Sequence, residues 1–106
     1  MAKVKFTKIK KRKYYQTWFN KNRNTGLISF IYCDPNGYYH WVITCFLKRC
    51  GLDKCILGKC DKGVYYNSLN DGLQYEIFEE CVEAVEQWHR NNKKYKMSFQ
   101  WINFQV

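Results

Sequence analysis

Proline is almost missing from this chain, with Pro35 the only one in 106 residues, and glycine is scarce at six. A chain so poor in both is neither collagen-like nor a low-complexity tract. With 46% apolar residues and 19% aromatics, it has the composition of a folding protein and not of a disordered one. Histidine is limited to His40 and His89, and neither sits in a local catalytic motif. No Gly-rich loop follows a strand and opens a helix, which removes the usual phosphate cradle. No apolar run is long enough for a membrane span or a secretory signal. These absences predict a non-enzymatic protein without a cofactor, away from membranes, in a cytoplasm where six cysteines stay reduced. The cysteines are also too sparse for a disulfide-stapled scaffold. The length predicts one domain, residues 1–106.

The most informative absence is that of acid in the first third. Met1 to Cys33 holds nine Lys or Arg and no Asp or Glu, whereas residues 34–106 hold nine basic and nine acidic residues. The whole net charge of +9 therefore sits before Asp34. A segregated excess makes a local field that attracts polyanions, which a uniform one would not.

Val4 and Phe6 alternate with Lys3, Lys5 and Thr7, which predicts a short strand. "KIKKRK" reads as a basic connector, "YYQTWF" as a second strand and "NKNRNTG" as a loop. The plainest element is the hairpin "LISFIYC-DPNG-YYHWVITCFL". Pro35 pre-sets the first central position of a type I turn, and Gly37 can take the left-handed conformation that closes it. On the return strand Tyr39, Trp41 and Ile43 share one side, and Tyr38, His40, Val42 and Thr44 the other. Both sides are fairly apolar, which predicts a central strand covered on each face or used on one for binding.

"VYYNS" reads as a short edge strand and "NDG" as a turn. A helix over 75–91 follows, with Phe78, Cys81, Val82, Val85 and Trp88 as its buried stripe and Glu76, Glu79, Glu80, Glu83 and Glu86 outside. The tail "KYKMSFQWINFQV" reads as a strand bent near Trp101. The expected fold class is α+β: an antiparallel sheet of about four or five strands with one amphipathic helix packed on a face.

Three features invite a functional reading. In the opening segment Lys8, Lys10, Lys11, Arg12 and Lys13, then Lys21 and Arg23, supply charges for a phosphate backbone, and Tyr14, Tyr15 and Trp18 supply faces on which bases stack. The ordinary alternative is that these aromatics are core and the lysines protect an edge strand. Carboxylates along the helix would repel phosphate, so a bipolar molecule is expected, acidic on the helix side and basic on the other. The second feature is Cys45, Cys50, Cys55 and Cys60, separated by four residues each. Zinc ligands recur at such distances, but the tight two-residue knuckle is missing and core thiols explain them as well. The third is a Cys–His nucleophile pair, which need not be local in sequence. His40 could line a site, whereas His89, near the helix end, needs no role beyond capping.

The leading expectation is a binding module whose basic, aromatic N-terminal third engages nucleic acid, RNA or DNA, or a nucleic-acid-handling protein. The alternative is a small protein inhibitor of the anti-CRISPR type found in phage and mobile elements, acting by protein–protein contact. A homodimer through a sheet edge is a third. The element order across residues 27–91, hairpin then strand then helix, resembles that of three-stranded-sheet DNA-binding domains, which implies a sheet that meets DNA. That resemblance is one of element order alone.

Overall fold

The computed structural model describes residues 5–9, 15–23, 25–44 and 63–93. Five strands form one antiparallel sheet in chain order: β1 Thr7–Ile9, β2 Gln16–Lys21, β3 Ile28–Cys33, β4 Tyr39–Thr44 and β5 Val64–Asn67. A 3-10 turn, Ser68–Asp71, follows β5, and helix α1, Phe78–Asn91, packs across one face. The fold class is α+β. The expected tail strand, Cys45, Cys50, Cys55, Cys60, Lys10 to Lys13 and Tyr14 all lie outside the described residues. No described helix is long and apolar enough to cross a membrane.

β3 explains the layering. Apart from Ser29, "ISFIYC" is apolar at positions of both parities, which marks a strand covered on both faces. Leu27 and Ile31 join Trp41, Ile43, Cys81 and Val85 in the core beneath α1. Ile28, Phe30, Tyr32 and Val42 form a second core on the opposite face, with Ile9, Tyr15, Phe19 and Val64 packed against it. The hairpin turn has the geometry its sequence predicts. Gly37 donates to the Asp34 carbonyl at 3.0 Å, Asp34 to the Tyr38 carbonyl at 2.8 Å, and Gly37 has φ +89°.

The first two strands start later than their patterns predict. Lys8 and Ile9 belong to β1 and not to a connector, because Ile9 pairs with Thr17 and joins the second core. β2 likewise runs on through Asn20 and Lys21, which pair with Ser29 and Ile28. Helix α1 begins at Phe78 and not at residue 75. Tyr75 is held in the sheet instead: its N–H donates to the Tyr39 carbonyl at 3.0 Å and its carbonyl accepts from the Tyr39 N–H at 2.7 Å. Those groups cannot also enter a helical turn. The helix ends at its asparagines as the sequence predicts, with Asn92 Nδ2 donating to the Trp88 carbonyl at 2.7 Å.

Since Ile31 is fully buried between sheet and helix, Ile31→Ala should lower stability by about 2–5 kcal/mol. Leu69→Ala, at an exposed position, should change it by less than about 1 kcal/mol. Urea unfolding of the two variants checks this contrast.

Candidate functional site

Four of the six described cations, Lys5, Lys8, Lys21 and Arg23, lie on or next to β1 and β2, while Arg90 and Lys93 lie at the end of α1. Among the described strands β1 stands at one edge and carries exposed Lys8, with exposed Lys5 just before it. The Lys5 carbonyl accepts from Asn20 Nδ2 at 2.9 Å, which ties that approach to β2. Lys21 ends β2 and Arg23 follows in the loop, both exposed. The loop is held by Asn22 N–H donating to the Leu27 carbonyl at 2.9 Å and Gly26 N–H to the Asn22 carbonyl at 2.8 Å. Four cations thus line the β1–β2 border on a firm backbone.

Of the aromatics proposed as stacking faces, Trp18 and Tyr15 have neighbours within the fold. Trp18 is half-buried beneath the start of α1, its ring centroid 4.9 Å from Phe78 and 6.0 Å from Tyr39. Lys8 Nζ lies 5.9 Å from the same ring, within cation–π range. Tyr15 lies on the opposite face, 5.4 Å from Tyr32. Both rings serve the cores of the fold.

The expected separation into an acidic and a basic side is altered. Phe6 packs edge-on against Phe78 at 6.4 Å, and Asn22 Nδ2 donates to Glu86 Oε1 at 2.7 Å. The cationic border therefore runs alongside α1 and not behind it. Alternation causes this: Phe6, Lys8 and Trp18 share one side of their strands, and the apolar members of that set join the core α1 covers. Glu76, Glu79, Glu80 and Glu83 remain exposed beside it.

Both histidines are occupied through both ring nitrogens. His89 is fully buried, with Nδ1 2.8 Å from Thr25 Oγ1 and Nε2 2.6 Å from Ser29 Oγ. It packs inside the helix–sheet interface and does not merely cap the helix. A neutral ring donates from one nitrogen and accepts at the other, and two hydroxyls can satisfy both. Burial pushes its pKa down from 6.5 to about 4. His40 places Nε2 2.8 Å from Asp34 Oδ2 and Nδ1 3.1 Å from the Leu73 carbonyl. It links the hairpin turn to the segment before α1 and stacks on Tyr32 at 5.3 Å.

Asp34 is the residue that sequence patterning missed. Its Oδ1 accepts from the N–H groups of Asn36 at 2.8 Å and Tyr38 at 3.0 Å, while Oδ2 meets His40. Burial alone would raise its carboxyl; the bonds from His40, Tyr38 and Asn36 and the charge of His40 outweigh that and hold it below the usual carboxylate value. Its place at the first position of a type I turn is the available sequence signal. Cys33 donates to the Asp34 carbonyl at 3.6 Å, with its thiol pushed up by burial and by Asp34. Burial pushes Cys81 up to about 12, the behaviour of a structural thiol. Neither imidazole can act as a general base without giving up a fold contact. Among the described residues no group of three His, Cys, Asp or Glu is placed to hold a metal ion. No protein-family model, curated protein or solved structure matches the chain.

His89 gives a pH signature. Above 6.5 the ring is neutral in both folded and unfolded chains, so it adds no pH dependence. Between 6.5 and about 4 the unfolded chain takes a proton that the folded one refuses, and the fold loses stability as pH falls, by on the order of 3 kcal/mol in all. Asp34, held low, loses its contribution only at more acid pH. Urea midpoints at pH 7 and pH 4.5 should differ by more in the wild type than in His89→Gln, which lacks the titrating ring.

Proposed function

We propose that this chain is a non-enzymatic binding module that engages nucleic acid along the β1–β2 border of its sheet. The supporting observation is the set of exposed Lys5, Lys8, Lys21 and Arg23 on one border, within a stretch of nine basic residues and no acid before Asp34. Lysine and arginine on a fixed backbone are the groups that hold phosphate, and such contacts set register without reading sequence. Because Trp18 and Tyr15 are packed into the two cores, phosphate contact and not base stacking on these rings supplies the binding. The carboxylates of α1 repel a polyanion from the helix face and confine it to the border. Lys10, Lys11, Arg12, Lys13 and Tyr14 extend the same basic stretch in sequence.

The protein–protein reading also has an observation in its favour, the exposed aliphatics Leu69, Leu73 and Ile77 before α1.

A salt-titrated gel shift tests the proposal with single- and double-stranded DNA and RNA of generic sequence. Four phosphate contacts give a log–log slope of about −3 to −4. Lys8→Gln with Arg23→Gln should flatten it by about 2. Glu79→Gln with Glu80→Gln should tighten binding severalfold, by removing repulsion. Salt-independent binding, no binding to any of the four substrates at low salt, or indifference to the Lys and Arg changes would overturn the proposal.

A further inference from the structure

The second exposed surface differs in every respect from the cationic border. Among the described residues the exposed large aliphatic side chains are Leu69 at 47%, Leu73 at 39% and Ile77 at 51% exposure; Leu69 lies in the 3-10 turn, and Leu73 and Ile77 lie between it and the start of α1. Single exposed aliphatics scattered over a surface are ordinary, but these three fall within nine residues of chain, 69–77.

The segment is fixed in place. Asn67 Oδ1 accepts from the Leu69 N–H at 3.0 Å, and Gly72 N–H donates to the Leu69 carbonyl at 3.1 Å. Gly72, at φ +68°, supplies the left-handed residue that ends the 3-10 turn. Leu73 donates to the Ser68 carbonyl at 3.1 Å, and its own carbonyl faces His40 Nδ1 at 3.1 Å. Tyr75 is bridged on both sides to Tyr39. The backbone at Leu73 and Tyr75 is thus engaged within the fold. It offers little to a partner strand, and recognition here is by side chains.

Charge decides what kind of partner fits. From Gly63 to His89 the chain has six acidic residues, Asp71, Glu76, Glu79, Glu80, Glu83 and Glu86, and no Lys or Arg. Asp71, Glu76, Glu79 and Glu80 are exposed and are interleaved with, or closely follow, the three aliphatics. Phosphate would be repelled. A purely apolar partner would leave the carboxylates without counter-charge.

We propose that residues 69–80 form a docking surface for a basic, amphipathic segment of another protein, whose apolar side chains cover Leu69, Leu73 and Ile77 while its Lys or Arg side chains meet the flanking carboxylates. The charge pairs steer and align the encounter, and the aliphatic contact supplies the affinity. The three aliphatics are separate from the cationic border, so changing them distinguishes the two surfaces, whereas Glu79 and Glu80 bear on both.

Calorimetric titration of the full chain with two synthetic peptides of equal length and charge tests this, one patterned in Lys and Leu with helical spacing, the other with Ser in place of Leu. The Lys–Leu peptide should bind about tenfold tighter, roughly 1.4 kcal/mol. The combined change Leu69→Ser, Leu73→Ser and Ile77→Ser should abolish that preference while the far-ultraviolet spectrum stays unchanged. Glu76→Gln with Glu79→Gln and Glu80→Gln should weaken both peptides. Equal affinity for the two peptides, or an undiminished preference in the serine variant, would overturn the assignment. So would a concentration-dependent dimer lost in that variant, since the occupant would then be a second copy. Nucleic-acid binding by the serine variant should be unaltered, which separates this surface from the border.

Discussion

The constraint from which the rest follows is that β3 and β4 are buried on both faces. Leu27, Ile31, Trp41 and Ile43 face the core under α1, while Ile28, Phe30, Tyr32 and Val42 face the opposite core. A hairpin sealed on both sides has no open face with which to meet a partner. The contacts proposed for this chain therefore lie outward, at the β1–β2 border and at the segment leading into α1. The first is cationic, the second acidic and apolar. Position in the fold, together with the order of charges along the chain, separates the two surfaces.

The same burial turns the two most versatile side chains into structural ones. His89 is held by Thr25 and Ser29 inside the helix–sheet interface, where a charged ring would face hydroxyls and no carboxylate bonded to it. His40 joins the Asp34 turn to Leu73, so the hairpin tip and the exposed aliphatic segment share one anchor. Two buried polar atoms, Tyr32 Oη and Trp41 Nε1, have no hydrogen-bond partner among the described residues. Each such atom carries a desolvation cost of about 1–3 kcal/mol. Their rings pack closely, Tyr32 on His40 and Trp41 on Tyr66 at 4.5 Å, and that area offsets the cost.

Local rules made much of this legible. The DPNG turn follows from the fixed φ of proline and the freedom of Gly37; the helix stripe Cys81, Val85 follows from its period; the double coverage of β3 and β4 follows from apolar residues of both parities. What escaped was long-range. Thr25 and His89 are 64 apart in sequence, and so are Asn22 and Glu86; no local pattern announces either pair. Tyr75 has helical neighbours on one side, but its backbone answers to Tyr39. Trp18 sits beside a basic run in sequence, and no local pattern announces that in space its ring packs against Phe78. The basic border was legible as charge; that α1 would lie alongside it depended on which side of β1 and β2 met the core.

Chemical-shift mapping of the full, isotopically labelled chain during titration with a short generic oligonucleotide tests the central claim most directly, that recognition sits at the margins of a sealed sheet. Perturbations should gather on Lys5, Lys8, Lys21 and Arg23 and their backbone neighbours, leaving β3, β4 and the carboxylate face of α1 unmoved. Shifts centred on the β3–β4 hairpin or on Glu79, Glu80 and Glu83, with the border silent, would contradict it.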